Sequence, residues 1–163
     1  MKQDRPEQTP AGGEPAFALP DDTPGYALAE RSGWLLLEKK ADDVVLIDLR
    51  GRSDVCDFFV LATGQSAVQV KALAKHVHGA LLEFGHKPKG LEGMNDGRWA
   101  LMDFFDVVVH VFDAAAREYF QLERLWGDAP RVDLDPDWYA RPGTGDRHPD
   151  LNFTSATGFG GAD

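Results

Sequence analysis

The chain has 163 residues, 43% hydrophobic and 27% charged, which suits one compact domain of the usual ~100–200 residues with chain to spare. Its 27 Asp and Glu outweigh 17 Lys and Arg to give a net charge of −10, which argues against a direct grip on nucleic acid or an anionic membrane, where cations must replace counterions. Cys56 is the sole cysteine, which excludes an internal disulfide framework and a four-thiolate zinc site, and no apolar run approaches the ~18 residues that span a bilayer.

Proline and charge partition the chain. Residues 1–25 contain Pro6, Pro10, Pro15, Pro20 and Pro24, and Lys2 and Arg5 are outweighed by Asp4, Glu7, Glu14, Asp21 and Asp22. This start lacks the basic residues and apolar stretch of a signal peptide and the Arg-rich character of a transit peptide, so a cytoplasmic protein is expected. Residues 129–163 add Pro130, Pro136, Pro142 and Pro149 and again more acid than base. Segments of this composition bury too little apolar surface to offset the entropy of ordering them, so both are read as disordered acidic tails. The domain is expected at residues 26–128, where Pro88 is the one proline.

Thr23 and Pro24 suit the N-cap and first position of a helix that runs to about Lys40, with Leu28, Ser32, Leu35 and Leu36 on one face. Val44–Leu49 is a run rich in β-branched residues, expected as a strand covered on both faces, and Asp57–Thr63 as a second strand. Gly64 leads into a capping box, with Ser66 as N-cap and Gln69 three positions on. Val70, Leu73, Ala74, Val77, Leu81 and Phe84 mark the apolar face of the helix it opens, and Gly85 suits the left-handed conformation that ends it. Three strands are expected next, near Lys89–Glu92, Arg98–Phe104 and Asp106–Phe112. Asp113 then caps a last helix with Tyr119, Leu122, Leu125 and Trp126 on its apolar stripe and Gly127 as its stop. Short links force antiparallel neighbours, whereas the helix after the second strand is long enough for a parallel return. The expectation is a single-domain α/β fold, a mixed five-stranded sheet with helices packed on its faces.

Few residues are spaced for chemistry. Gly64-Gln65-Ser66 joins a strand to a helix, where backbone amides can bind phosphate, but neither the Walker loop nor the dinucleotide fingerprint is present. A nucleotidyltransferase would add an Asp-x-Asp pair on one strand face to hold Mg²⁺; here Asp48 is followed by Leu49 and Arg50, and Asp103 and Asp106 are three apart. Asp133, Asp135 and Asp137 have the alternate spacing of a calcium loop, yet Trp138 and Thr144 stand where an EF-hand needs Gly and Glu. His76 and His78 fall on different faces of one helix, and no motif ties His110 to Cys56 as base and nucleophile. No catalytic residue, metal site or cofactor is expected.

One segment is harder to read as structure alone. Gly93 and Gly97 frame a tight loop, and the strand after it alternates Trp99, Leu101 and Asp103 against Ala100, Met102 and Phe104. One set enters the core. The other presents either Trp with acid or Met with Phe, the composition of a patch that binds a basic protein, and spacing leaves open whether Trp99 is core or contact.

Lys39-Lys40-Ala41-Asp42-Asp43-Val44, Asp57-Phe58-Phe59-Val60, Ala62-Thr63-Gly64-Gln65-Ser66, Leu91-Glu92-Gly93, Trp99-Ala100-Leu101-Met102-Asp103, Asp106-Val107-Val108-Val109-His110-Val111-Phe112 and the stretch from Arg117 to Ala129 together resemble, in order and spacing, the ribosomal silencing factor family, also called Iojap-like. The resemblance covers the whole expected domain. It implies a nucleotidyltransferase-like fold without the metal-binding acids, and a translational repressor. Such a protein binds the large ribosomal subunit through its ribosomal protein fourteen and sterically blocks joining of the small subunit when nutrients run short. It further implies a bacterial cytoplasmic protein that is not an enzyme, with little direct contact with nucleic acid and none with a membrane, and it leaves open a homodimer of the free protein. A large-subunit assembly factor and a nucleotidyltransferase-like enzyme stand as the alternatives. Carried over residue by residue, partner binding falls on Trp99, Met102, Asp103 and Asp106, then on Met94 and Arg98. The family usually has Gly where this chain has Phe105, so the turn there is expected either to differ or to bring Phe105 into the interface.

Overall fold

The computed structural model describes residues 24–134. Helix α1 (Pro24–Glu38) precedes strands β1 (Asp42–Asp48) and β2 (Phe58–Gly64), then helix α2 (Ala67–Glu83). Strands β3 (Gly90–Glu92), β4 (Trp99–Asp103) and β5 (Val107–Asp113) follow, then two short helices, α3 (Ala114–Phe120) and α4 (Leu122–Leu125), and strand β6 (Arg131–Leu134). Thr23, the residues before it and those after Leu134, including Asp135 and Asp137, lie outside the described residues.

The local signals at both ends of α2 produce the helix they predict. Ser66 Oγ accepts the Gln69 N–H at 3.1 Å, and Gln69 Oε1 accepts the Gln65 N–H at 2.6 Å, one residue earlier than the reciprocal bond of an ideal capping box. Gly64 is required at the approach to α2, because a Cβ there would lie 2.8 Å from Val70 Cγ2 and 3.0 Å from the Val70 backbone nitrogen. Gly85 takes φ +90°, the left-handed conformation after the helix.

All six strands join one sheet in the order β3-β4-β5-β2-β1-β6, with β2 and β5 parallel and the other neighbours antiparallel. The expected five strands are therefore six. The additional strand lies past residue 128 in the segment read as tail, where Val132 and Leu134 are buried and alternate with exposed Arg131 and Asp133. Four residues of alternation between two prolines carry too weak a signal to outweigh the composition around them. The sheet supplies the missing drive, since β6 completes the pairing of β1, whose Val44–Asp48 are buried. Position in the sheet follows burial: β5 is buried from Val107 to Phe112 and lies inside, whereas β3 is exposed throughout and lies at an edge.

Helices α1 and α2 cover one face, where Leu28, Leu36, Leu73 and Val77 pack over Leu46, Val60, Met102 and Val109. Each such fully buried side chain contributes roughly 1.5–3 kcal/mol. The opposite face is only partly roofed. Val45, Ile47, Leu61, Val108 and Phe112 form its floor, joined by the half-buried Phe59, Trp99, Leu101 and Trp126. The expected single last helix is broken at Gln121, which takes φ +48° between α3 and α4. Tyr119 and Leu125, expected on a buried stripe, consequently face solvent at 81% and 70% exposure. Arg117 fixes the break. Its guanidinium pairs with Glu123 at 2.8 Å and donates to the Asp43 carbonyl and Thr63 Oγ1, and that pairing, ahead of the burial that opposes it, lowers the Glu123 pKa.

Candidate functional site

The segment singled out by its composition forms one flank of the sheet. Its loop is built on glycines: a Cβ at Gly93, φ +69°, would overlap the Trp99 carbonyl oxygen, and one at Gly97, φ +79°, would lie 2.6 Å from Ala67 Cβ. Strand β4 then divides its side chains between the two layers. Ala100 and Met102 are fully buried beneath α2, with Phe104 just past the strand end also in the core, and Trp99, Leu101 and Asp103 stand half-buried on the partly roofed face.

Met102 is thus a core residue with no exposed surface, which corrects its assignment as a contact. The strand's alternation named the two sets of residues, and the position of α2 decided which set is inside. Met94 leans against the same core. Arg98, Phe105 and Asp106 are exposed and Asp103 is half-exposed.

Trp99 is both packed and presented. Its ring stacks on Phe112 at 5.1 Å and tilts against Phe120 at 4.4 Å, and its Nε1–H donates to His110 Nδ1 at 3.0 Å. This bond leaves the His110 proton on Nε2, a buried atom without a hydrogen-bond partner among the described residues, and the imidazole and Phe59 ring centres lie 4.5 Å apart. Burial alone lowers the His110 pKa to about 3, so the imidazole is neutral and holds Trp99 as an acceptor. His110 is therefore neither a free base nor paired with a nucleophile. Cys56 is buried, and that burial, reinforced by Asp103, Asp57 and Asp106, pushes its thiol up to about 11.

The role of His110 was concealed until the strand pairing was known. In the antiparallel register Asp103 faces Val108, Leu101 faces His110 and Trp99 faces Phe112, so Trp99 and His110 are diagonal neighbours on one face.

At the far end of β4 the chain reverses through Phe104-Phe105-Asp106. The Asp106 N–H donates to the Phe104 carbonyl at 3.0 Å around Phe105 at φ +75°, a γ-turn in its rare, strained form. Asp103 accepts the Phe105 N–H at 2.9 Å, and the Phe105 ring, 58% exposed, lies 5.7 Å from Lys89 Nζ. Phe105 thus keeps the backbone that glycine would take and still displays its ring.

Asp103 is four residues from Trp99, about 13 Å along an extended strand, so the acids expected beside the indole lie at the other end of the flank. The carboxylates at the Trp99 end are Glu92 and Asp96, around a recess of about 300 Å³ that Trp99, Leu101, Ala116 and Phe120 also line. Neither acid was a candidate from the sequence, because one lies on β3 and the other in the loop, and β3 pairing and the 93–98 fold bring them together. A larger recess of about 730 Å³ between α3 and β6 is also charged, but Arg117, Arg124 and Arg131 are engaged there with Glu123, Gln121 and Asp133. Among the described residues no group of three His, Cys, Asp or Glu is placed to hold a metal ion, and no helix is long and apolar enough to cross a membrane.

The family model described as ribosomal silencing factor during starvation matches residues 25–156. A ribosomal silencing factor from Bacillus subtilis is 45% identical over 98 residues, 60% of this chain and 83% of the relative. The chloroplastic Iojap protein of Arabidopsis thaliana is 27% identical over 121 residues, 74% of this chain and 50% of the relative. Among solved structures, a crystal structure of a Chromobacterium violaceum protein superposes with a TM-score of 0.62 at 36% identity, covering 64% of this chain and 88% of that one. One from Bacillus halodurans does so with a TM-score of 0.59 at 39% identity, covering 67% and 99%.

Proposed function

The chain belongs to the ribosomal silencing factor family, and from that membership we propose that it is a cytoplasmic translational repressor that binds the large ribosomal subunit through its ribosomal protein fourteen and blocks joining of the small subunit. The observation that carries the reading on this chain is the β4 flank. Half-buried Trp99 and Leu101 and exposed Phe105 run along it between Glu92, Asp96, Asp103 and Asp106, acids that form no ion pair among the described residues. Apolar anchors bordered by unneutralised carboxylates suit a basic protein surface, and the same carboxylates repel a phosphate backbone. Met102 contributes beneath this surface by holding β4 on the core, and the contacts fall to Trp99, Leu101, Asp103, Phe105 and Asp106.

The mechanism requires occupancy and bulk, with no chemical step. A domain of ~100 residues has a radius of gyration near ~13 Å, enough to exclude a second macromolecule from the contact it covers. A subunit-joining assay on sucrose gradients tests this. Added protein is expected to lower the fraction of joined ribosomes and to migrate with the large subunit, and joining that does not change with saturating protein would refute occlusion.

A further inference from the structure

The geometry points to the recess beside Trp99 as a receptor for one arginine side chain of the basic partner, an inference that rests on the partner reading above and gives it a specific contact. The walls are aromatic and aliphatic, with the Trp99 and Phe120 rings tilted at 44° to each other above Leu101 and Ala116. Its rim carries Glu92 and Asp96, both exposed and free of hydrogen bonds or ion pairs to other side chains among the described residues. Its volume of about 300 Å³ accommodates a side chain and excludes a folded segment.

These features favour a guanidinium over other occupants. A planar, weakly hydrated cation packs against the Trp99 and Phe120 rings that wall the recess and presents N–H donors to both carboxylates, whereas its alkyl stem can lie along Leu101 and Ala116. A phosphate or acidic peptide would meet two unneutralised carboxylates, and a purely apolar side chain would leave both acids desolvated beside it. Two devices hold the recess open before the partner arrives. The Trp99 N–H is fixed on His110, and the Gly93 backbone is packed against Trp99 so closely that no side chain fits there. Arg98 stands on the same rim as the one like charge. It therefore opposes an incoming arginine, the reverse of the binding role its place in the segment suggested.

Two measurements on the full chain test this. In ¹⁵N-labelled free protein, N-acetyl-arginine amide is expected to give a saturable shift of the Trp99 indole N–H resonance, which N-acetyl-norleucine amide does not give and the Glu92→Gln/Asp96→Asn double variant loses. No arginine-specific shift, or an equal shift in the double variant, overturns the assignment. Against purified large ribosomal subunits the double variant is expected to bind ~10-fold more weakly, and Arg98→Gln at least as tightly as the unaltered protein. Wild-type affinity for the double variant, or a clear loss for Arg98→Gln, also overturns it. If arginine amide titrates the recess but the unaltered protein does not bind large subunits, the recess stands and the ribosomal reading of its partner falls.

Discussion

Replacing Trp99 by Phe removes one hydrogen bond and keeps the ring stacked on Phe112, so its cost isolates the Trp99–His110 contact. The direct loss is about 0.5–1.5 kcal/mol for the bond, and the larger part comes from His110, whose buried Nδ1 is left without a donor at a further ~1–3 kcal/mol. The sum is about 2–3 kcal/mol once relaxation of the half-buried indole site is allowed for, a fall in Tm of roughly 10 °C for a domain this size. His110→Leu alone strands the Trp99 N–H but also eliminates Nε2, which is buried without a partner among the described residues. With both substitutions neither group is stranded. The double variant is therefore expected to be more stable than the sum of the single losses by about 1–2 kcal/mol. Urea denaturation followed by circular dichroism at pH 7.5, where His110 is neutral in both states, gives all four stabilities. Additivity within ~0.5 kcal/mol would show that the two rings are packed together without an energetically significant bond, and would remove the argument that His110 orients Trp99.

His110 also sets a pH dependence. Its folded pKa of about 3 lies below the ordinary 6.5, so its contribution is complete above pH 6.5 and is lost progressively as pH falls toward the folded value, because the unfolded chain takes up the proton first. At pH 5 the loss is about 2 kcal/mol, and His110→Leu should flatten the stability profile between pH 7 and 5 by that order; an unchanged slope would contradict the burial argument. Met102→Ala is expected to cost about 2–5 kcal/mol in denaturation while the folded protein binds large subunits with unaltered affinity, and reduced affinity at full folding would return Met102 to the interface. Phe105→Gly relieves a φ of +75° at the expense of unfolded-state entropy, for a net stability change below ~1 kcal/mol, whereas Phe105→Val forces a β-branched residue into that turn and should destabilise by about 1–2 kcal/mol. Thermal melts of the two variants side by side check the ordering, and equal values would show that the turn relaxes away from its strained form.

Much of the fold was legible because its rules are local. Ser66 with Gln69, the 3.6-residue recurrence from Val70 to Leu81, and Gly85 mark both ends and one face of α2 within a few residues of each feature. The loop glycines and the two faces of β4 were equally readable. Where local rules conflicted with composition the reading failed: Val132 and Leu134 alternate as a strand should, but only inside a proline-rich acidic stretch. Where the chain changes direction on one residue, as at Gln121, periodicity carried on through a break that it cannot register.

The candidate site divides along the same line. The residue types, an indole and carboxylates after a loop framed by two glycines, came from the sequence, and so did the order of motifs that marks the family. Which side of β4 is covered came from α2, which packs on Met102 and leaves Trp99 to the partly roofed face. Which acids stand beside Trp99 came from the pairing of β3 with β4 and the fold of the 93–98 loop, which bring up Glu92 and Asp96 and place Asp103 and Asp106 at the other end. What holds the indole came from the register of β4 on β5. Side-chain alternation and capping are set by bonds between near neighbours, and the sequence determines them by itself; burial, strand register and the meeting of residues from separate strands depend on contacts across the sheet, and only the tertiary structure decides those.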